Sequence, residues 1–134
     1  MYVMGNLDKI FSEIKEILEK HSEGLIVKTE IIGSRAKVVK PAYHLYGSEE
    51  VSLFGKKPQK TYIGGVIKQK HYVSFYLMPV YSHPELLKEL DQDLKKDLKG
   101  KSCFNIKHTT SKSLNQLEDI LKKGIKLYKE SNWI

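Results

Sequence analysis

Two hydrophobic periodicities divide this chain and restrict the folds open to it. At both ends the apolar residues recur every three or four positions, which is typical of an amphipathic helix. Between residues 25 and 80 the apolar residues tend to alternate with polar ones, which is the pattern of a half-buried β-strand. Because helices and strands are separated along the chain, the pattern favours an α+β fold. We expect a two-layer sandwich in which the N- and C-terminal helices pack on one face of an antiparallel sheet.

The first helix is predicted over residues 6–21. Its apolar stripe consists of Leu7, Ile10, Phe11, Ile14, Ile17 and Leu18. Asn6 is a favourable N-cap residue, and Gly24 lies just beyond the predicted end. Charged residues of both signs occupy the opposite side, so we expect this helix to cover a core with one face only.

Further helices are predicted in the second half of the chain. Residues 82–85 have the spacing of a capping box with a proline in the first turn, which predicts a helix from about His83. Asp91 is predicted to cap a second short helix that ends at Gly100, with the alternative that the two segments form one helix. Residues 113–116 form another capping box and predict the start of the last helix.

The segments with alternating apolar residues predict a sheet. The predicted strands are residues 25–32, 36–46, 61–68, 71–78 and 102–107. The polar pair 69–70 predicts a hairpin between two of these strands. Residues 47–59 contain glycine, proline and charge, so we predict an exposed loop there, with the alternative of a short strand at 51–54.

The strand pattern assigns side chains to two different faces of the sheet, because successive residues point to opposite sides. The aliphatic sets expected to face the helices are Ile63, Ile67, Val73, Phe75, Leu77, Phe104 and Ile106. The second face is expected to carry Tyr62, Tyr72, Ser74, Tyr76, Cys103 and Asn105, together with Gly64 and Val66. Tyrosine combines a large apolar ring with a polar tip, which suits a binding surface. The alternatives are a face covered by the 47–59 loop or by a second copy, and tyrosines present for strand propensity alone.

Size and charge limit the class of protein. A chain of 134 residues and 15.5 kDa is predicted to form a single domain over residues 1–134. The formal net charge is +7, but 22 of the 23 basic residues are lysines and only Arg35 has the bidentate fork that nucleic-acid recognition favours. Nucleic-acid binding is therefore not the preferred function.

The remaining motifs argue against several kinds of site. A single cysteine, Cys103, excludes an internal disulfide and a four-cysteine zinc site, which favours a reducing, cytoplasmic location. Lys101 and Lys107 are expected to lower the pKa of this thiol, which would favour a role as a nucleophile. No base that could activate the thiol is assigned from the sequence. Gly100 starts a Gly-Lys-Ser run that lacks the earlier glycine of a phosphate-binding loop. We therefore predict a protein that is not an enzyme. We also predict no membrane-spanning segment.

Two sequence blocks in the second half resemble a known family. They are residues 72–81 (YVSFYLMPVY) and 98–107 (LKGKSCFNIK), and Gly124 and Tyr128 in the last helix complete the pattern. Together they resemble the YdhG-like family, a domain of unknown function. The resemblance implies a compact frataxin-like sandwich, and some of its members are described as iron chaperones. Lysines alternate here with the carboxylates of the first helix, so no metal site is carried over.

The preferred function is a non-enzymatic binding module, monomeric or homodimeric, that holds a small ligand or a protein partner on the second face. Tyr62, Tyr72 and Tyr76 are expected to supply contact area, with hydrogen bonds from Ser74 and Asn105. The predicted site also includes Cys103 and Lys101, and Lys101 or Lys107 is expected to contact an anionic group. No cofactor is predicted; the alternative is iron delivery by a frataxin-like protein.

Overall fold

The computed structural model describes residues 6–29 and 40–134, so the predicted strands at 25–32 and 36–46 lie partly outside the described residues. The helices are α1 (Asn6–Lys20), α2 (Met78–Ser82), α3 (Gln92–Asp97) and α4 (Ser111–Glu130), with a 3-10 helix over Pro84–Glu89. The strands are β1 (Ile26–Lys28), β2 (Ala42–Val51), β3 (Gln59–Lys68), β4 (Val73–Leu77), β5 (Leu98–Lys99) and β6 (Cys103–Ile106).

The strands form one sheet in the order β1-β2-β3-β4-β6-β5, and all neighbouring strands are antiparallel. Helix α1 packs on β2, β3 and β4, and α4 packs on α1 and α2. The buried core between the two layers includes Ile14 of α1, Phe75 of β4, Phe104 of β6 and Leu121 of α4. The predicted α+β sandwich is therefore confirmed. Within the described residues, no helix is long and apolar enough to span a membrane.

A β-bulge in β3 corrects part of the predicted side-chain alternation. Leu45 pairs with Gly64 but the next residue of β2 pairs with Tyr62, so Ile63 has no partner of its own. Because of this extra residue, the residues of β3 that follow it point to the opposite face from the one that uninterrupted alternation would give. Val66 is consequently fully buried opposite Phe75, and the prediction that it lies on the second face is wrong. Gly64, opposite Leu77, likewise lies on the helix-facing side.

The same reversal moves Ile67. It pairs with Ser74 on one side and with Ala42 on the other, so it lies on the second face. The prediction that Ile67 faces the helices is therefore wrong. The predicted positions of Ile63 in the core and Tyr62 on the second face hold, because the reversal affects only the residues that follow the bulge residue Ile63.

The predicted loop at 47–59 is shorter than expected, because residues 47–51 and 59 belong to strands and only 52–58 are irregular. Strand β2 continues to Val51 and β3 begins at Gln59, so only the hairpin end remains irregular. In this hairpin the Lys56 N–H donates to the Leu53 carbonyl at 3.0 Å, and Phe54 and Gly55 both have positive φ, 55° and 72°. Two successive residues with positive φ are the signature of a type I′ turn. The alternative strand at 51–54 is therefore wrong as well.

Two of the predicted capping boxes are also corrected. No side chain caps the helical segment after His83: Pro84 opens a 3-10 helix there, and the α-helix α2 precedes it. Helix α4 begins at Ser111 and uses a capping box formed by Thr110 and Ser113, rather than one at 113–116. The cap predicted at Asp91 is confirmed, because its side chain accepts a hydrogen bond from the Leu94 N–H at 3.2 Å. Helix α3 ends before Gly100, because β5 intervenes.

Candidate functional site

The sheet face opposite the helices gathers tyrosines and uncharged polar residues from four strands. Strand pairing places Tyr76 beside Gly65 and Cys103, and Ser74 beside Asn105. We call this the tyrosine-rich face; its members are His44, Tyr46, Tyr62, Ser74, Tyr76, Cys103 and Asn105. Five of the predicted site residues therefore lie together, as the alternation implied.

The other two predicted site residues lie elsewhere. Tyr72 precedes β4 in the hairpin from β3, where its carbonyl accepts a hydrogen bond from the Gln69 N–H at 2.9 Å. It borders the face, close enough to Tyr76 to help raise the pKa of that phenol, although burial is the main cause. Lys101 lies outside the sheet: its ammonium group is 5.3 Å from the ring centroid of Tyr81 on α2.

His44 and Tyr46 belong to this face but were not identified from the sequence. The His44 Nδ1 is 2.9 Å from the Tyr62 hydroxyl, and the Tyr46 and Tyr62 rings are 5.1 Å apart. Gly65 lies beneath them and leaves room for the histidine ring. Both missed residues are on β2, and their alternation at positions 44 and 46 is a usable signal only once the pairing of β2 with β3 is known.

The tyrosine-rich face carries no charge at neutral pH. Burial lowers the pKa of His44, so this imidazole is neutral at pH 7. Burial is also the main cause that raises the pKa of Tyr62, with Tyr46 and Tyr76 adding to it. Each phenol therefore keeps its proton. At the edge of the face, the Lys28 ammonium lies 5.0 Å from the centroid of the Tyr46 ring.

The thiol of Cys103 behaves differently from the sequence expectation. Burial raises the pKa of this thiol. The prediction that Lys101 and Lys107 lower this pKa is therefore wrong. The structure instead places the Cys103 Sγ 3.5 Å from the Asn105 Oδ1, to which it donates. A protonated, half-buried thiol is a weak nucleophile, so the geometry does not favour a catalytic cysteine.

We expect iodoacetamide to modify Cys103 slowly near neutral pH, because only the thiolate reacts. In the folded protein the rate should keep rising above pH 9, the ordinary value of this pKa. Since the chain has one cysteine, mass spectrometry reports its modification directly. The urea-unfolded protein is the control, in which the rate should level off at lower pH. Identical pH profiles for the two states would contradict the effect of burial.

A second feature is a cavity of about 540 Å³ at one end of the sheet. It lies between the β2–β3 hairpin, α2 and the end of α4. Its lining includes Leu53, Phe54, Lys56, Gln59, Thr61, Tyr62, Met78, Tyr81, Ser82, Tyr128 and Trp133, together with Val51. We call it the aromatic cavity. Sequence reasoning missed it because its walls come from segments far apart in the chain.

Aromatic rings in edge-on or tilted contact and a small hydrogen-bond chain organise one wall of the aromatic cavity. Trp133 contacts Tyr128 at 5.0 Å, His83 at 5.7 Å and Phe54 at 5.9 Å between ring centroids. The Ser82 Oγ lies 3.1 Å from the Tyr128 hydroxyl and 2.9 Å from the His83 Nδ1. These contacts hold a hydroxyl pair at a fixed place beside an otherwise apolar wall.

Two of the carboxylates of α1, Asp8 and Glu13, have partners elsewhere in the fold. Asp8 forms an ion pair with Lys68, and the Glu13 Oε1 accepts a hydrogen bond from the Thr109 hydroxyl at 2.8 Å. Among residues 6–29 and 40–134, no group of three or more His, Cys, Asp or Glu side chains could hold a metal ion. The iron-delivery alternative stays a prediction.

Comparison of the chain with models of protein families, with curated proteins and with solved structures found no match. The resemblance to the YdhG-like family therefore stays a prediction that rests on its two sequence blocks. The two positions of α4 that contribute to this resemblance both contact α2. Gly124 lies against the ring of Pro79, where a Cβ would come within 2.6 Å, and Tyr128 contacts Ser82. Both therefore have a role in packing.

Proposed function

We propose that this protein is a non-enzymatic binding module that holds a small uncharged ligand on the tyrosine-rich face. The observation that carries the proposal is the gathering of tyrosines and neutral hydrogen-bonding groups on the sheet face opposite the helices. Tyrosine rings supply large contact areas at a small entropic cost, and their hydroxyls orient what they contact.

The burial of individual residues supports a small ligand in preference to a flat protein partner. Ser74 and His44 are buried, whereas Tyr62, Tyr76 and Asn105 around them are only half-buried. Two buried polar groups thus lie among partly exposed residues, and a ligand small enough to reach between those side chains can contact both sets. A protein partner is the alternative occupant.

The electrostatics of the face support an uncharged ligand. A charged group placed at the centre of the face, against neutral phenols, a neutral imidazole and a protonated thiol, would lose hydration without gaining a counter-charge, because the Lys28 ammonium lies only at the edge over Tyr46. Ser74 and Asn105 can instead exchange hydrogen bonds with a polar edge; the Gln69 amide already donates to the Ser74 hydroxyl at 3.4 Å. A flat ring with polar atoms on its edge combines stacking with these hydrogen bonds.

The proposal is tested by NMR titration with adenosine, an uncharged planar probe with a hydrogen-bonding edge. We expect shifts of the amide signals of β3, β4 and β6 and a dissociation constant below about 1 mM, which corresponds to about 4 kcal/mol. Replacing Tyr72 and Tyr76 together by Ala should weaken binding at least tenfold, about 1.4 kcal/mol, because the stacking surface is lost.

The matched control is His71→Ala, which removes an exposed ring from the same hairpin as Tyr72 and lies outside both this face and the aromatic cavity. It should leave the affinity for adenosine unchanged. Equal affinities of the wild type and the double variant would refute the assignment of the face. If adenosine causes no shifts at all, the small-ligand proposal fails and a protein partner becomes the preferred occupant.

A further inference from the structure

We propose that the aromatic cavity is a second binding site for a planar aromatic ligand that carries an anionic group, and that Phe54 closes over this ligand. The cavity shares Tyr62 with the tyrosine-rich face, and its other lining residues lie outside that face. This inference does not depend on the proposed function of the tyrosine-rich face. It rests on the shape of the cavity, on the charges around it and on the backbone conformation of Phe54.

The walls of the cavity suit a flat apolar body. Trp133 and Tyr128 form one side with their rings in edge contact, and Tyr81 and Phe54 lie at the exposed side. A volume of about 540 Å³ is that of a pocket for a small organic molecule. Aromatic rings of such a ligand gain offset or edge-to-face contacts with these side chains in addition to the burial of apolar area.

The charges around the cavity select against a cation. Lys56 is part of the lining, and the Lys101 ammonium lies 5.3 Å from the ring centroid of Tyr81. The residues that line the cavity include no aspartate or glutamate. An aromatic cage can also hold an ammonium group, but here Lys56 in the lining and Lys101 beside the ring of Tyr81 would repel it. The same two lysines would attract an anionic substituent.

Hydroxyl groups can orient the ligand at the inner wall. The Ser82 Oγ and the Tyr128 hydroxyl are 3.1 Å apart, and both residues line the cavity. Burial raises the pKa of Tyr128, so its hydroxyl stays protonated and can donate a hydrogen bond. A polar atom on the ligand ring, in addition to the anionic group, therefore finds a partner.

Phe54 occupies a position that its side chain does not favour. Its φ of 55° lies in the left-handed region, and the first central position of a type I′ turn is normally Asn, Asp or Gly. The side chain is also 76% exposed, with its ring edge-on to Trp133 at 5.9 Å. Both the backbone strain and the exposure of apolar area are unfavourable in the free protein. Burial of the ring against a ligand beside Trp133 would offset them.

The first experiment follows Trp133 itself. It is the only tryptophan of the chain, so its indole N–H gives a single signal in a ¹⁵N–¹H correlation spectrum. We titrate the protein with 2-naphthoate, with the neutral 2-naphthalenemethanol and with the cationic 2-naphthylmethylammonium. Naphthoate should shift the signal and bind at least tenfold more tightly than the cation, with the neutral compound between them. No shift of the indole signal by naphthoate, or tighter binding of the cation, would overturn the proposal.

Two variants test the assigned roles. Phe54→Asn supplies a residue that the turn prefers, so the protein should be as stable as the wild type or more so, while the affinity for naphthoate falls at least fivefold. Lys56→Gln should lower the affinity for naphthoate at least threefold and leave the affinity for 2-naphthalenemethanol unchanged. The matched control is Lys57→Gln, an exposed lysine of the same hairpin that does not line the cavity. Unchanged binding in Phe54→Asn, or equal losses for the two lysine variants, would contradict these roles.

Discussion

Replacing Phe75 by Ala is expected to lower the free energy of unfolding by about 3–5 kcal/mol. Phe75 is fully buried at the centre of β4, between Val66 of β3 and Phe104 of β6. Its ring lies 6.2 Å from the ring of Phe104, so the substitution removes an aromatic contact and leaves a cavity in the core. Urea denaturation at pH 7, followed by circular dichroism, measures the effect.

Phe54→Ala is the matched control for this prediction, since it makes the same chemical change where the ring is 76% exposed. It should change the free energy of unfolding by less than about 0.5 kcal/mol, as is usual for surface substitutions. A loss of less than about 1 kcal/mol in Phe75→Ala would contradict a well-packed core between the sheet and the helices.

Gly65→Ala is expected to destabilise the protein by about 3 kcal/mol, the upper part of the range for overpacking. A Cβ at this position would lie 2.1 Å from the His44 Nδ1, 2.7 Å from the Tyr62 hydroxyl and 2.8 Å from the Tyr43 carbonyl oxygen. The carbonyl belongs to the sheet backbone and cannot withdraw, and the two side chains are hydrogen-bonded to each other. The substitution should therefore also separate His44 from Tyr62.

The control for this substitution is Ser48→Ala, which changes an exposed residue of the neighbouring strand β2. The expected loss is below about 0.5 kcal/mol, as is usual for surface substitutions. Urea midpoints of the two variants give the comparison. Equal losses would show that the sheet tolerates a side chain at Gly65, contrary to the packing of the tyrosine-rich face.

Strong local patterns made a large part of this fold predictable. The apolar stripe of α1, with Ile10, Ile14 and Leu18, predicted both the helix and its buried side. In β4 and β6 the plain alternation predicted that Phe75 and Phe104 face the helices while Tyr76 and Asn105 face away. The spacing of apolar residues decides which side of each of these elements is buried, because that spacing repeats within one short stretch of chain.

The errors arose where the pattern depends on a partner strand. The bulge at Ile63 is defined by the pairing of β3 with β2, so the strand sequence alone predicted Ile67 on the wrong face. The box predicted at 82–85 failed for a similar reason. The Ser82 hydroxyl has a long-range partner, the hydroxyl of Tyr128, and it caps no helix.

By itself, then, the sequence determined the α+β class, the helices at both ends and most of the tyrosine-rich face. These follow from periodicities of two and about 3.6 residues, which act over neighbouring positions. Only the tertiary structure decided that His44 joins Tyr62, that burial raises the pKa of Cys103, and that an aromatic cavity forms around Trp133. Strand register and burial bring together residues that are distant in the chain, and no local pattern records such contacts.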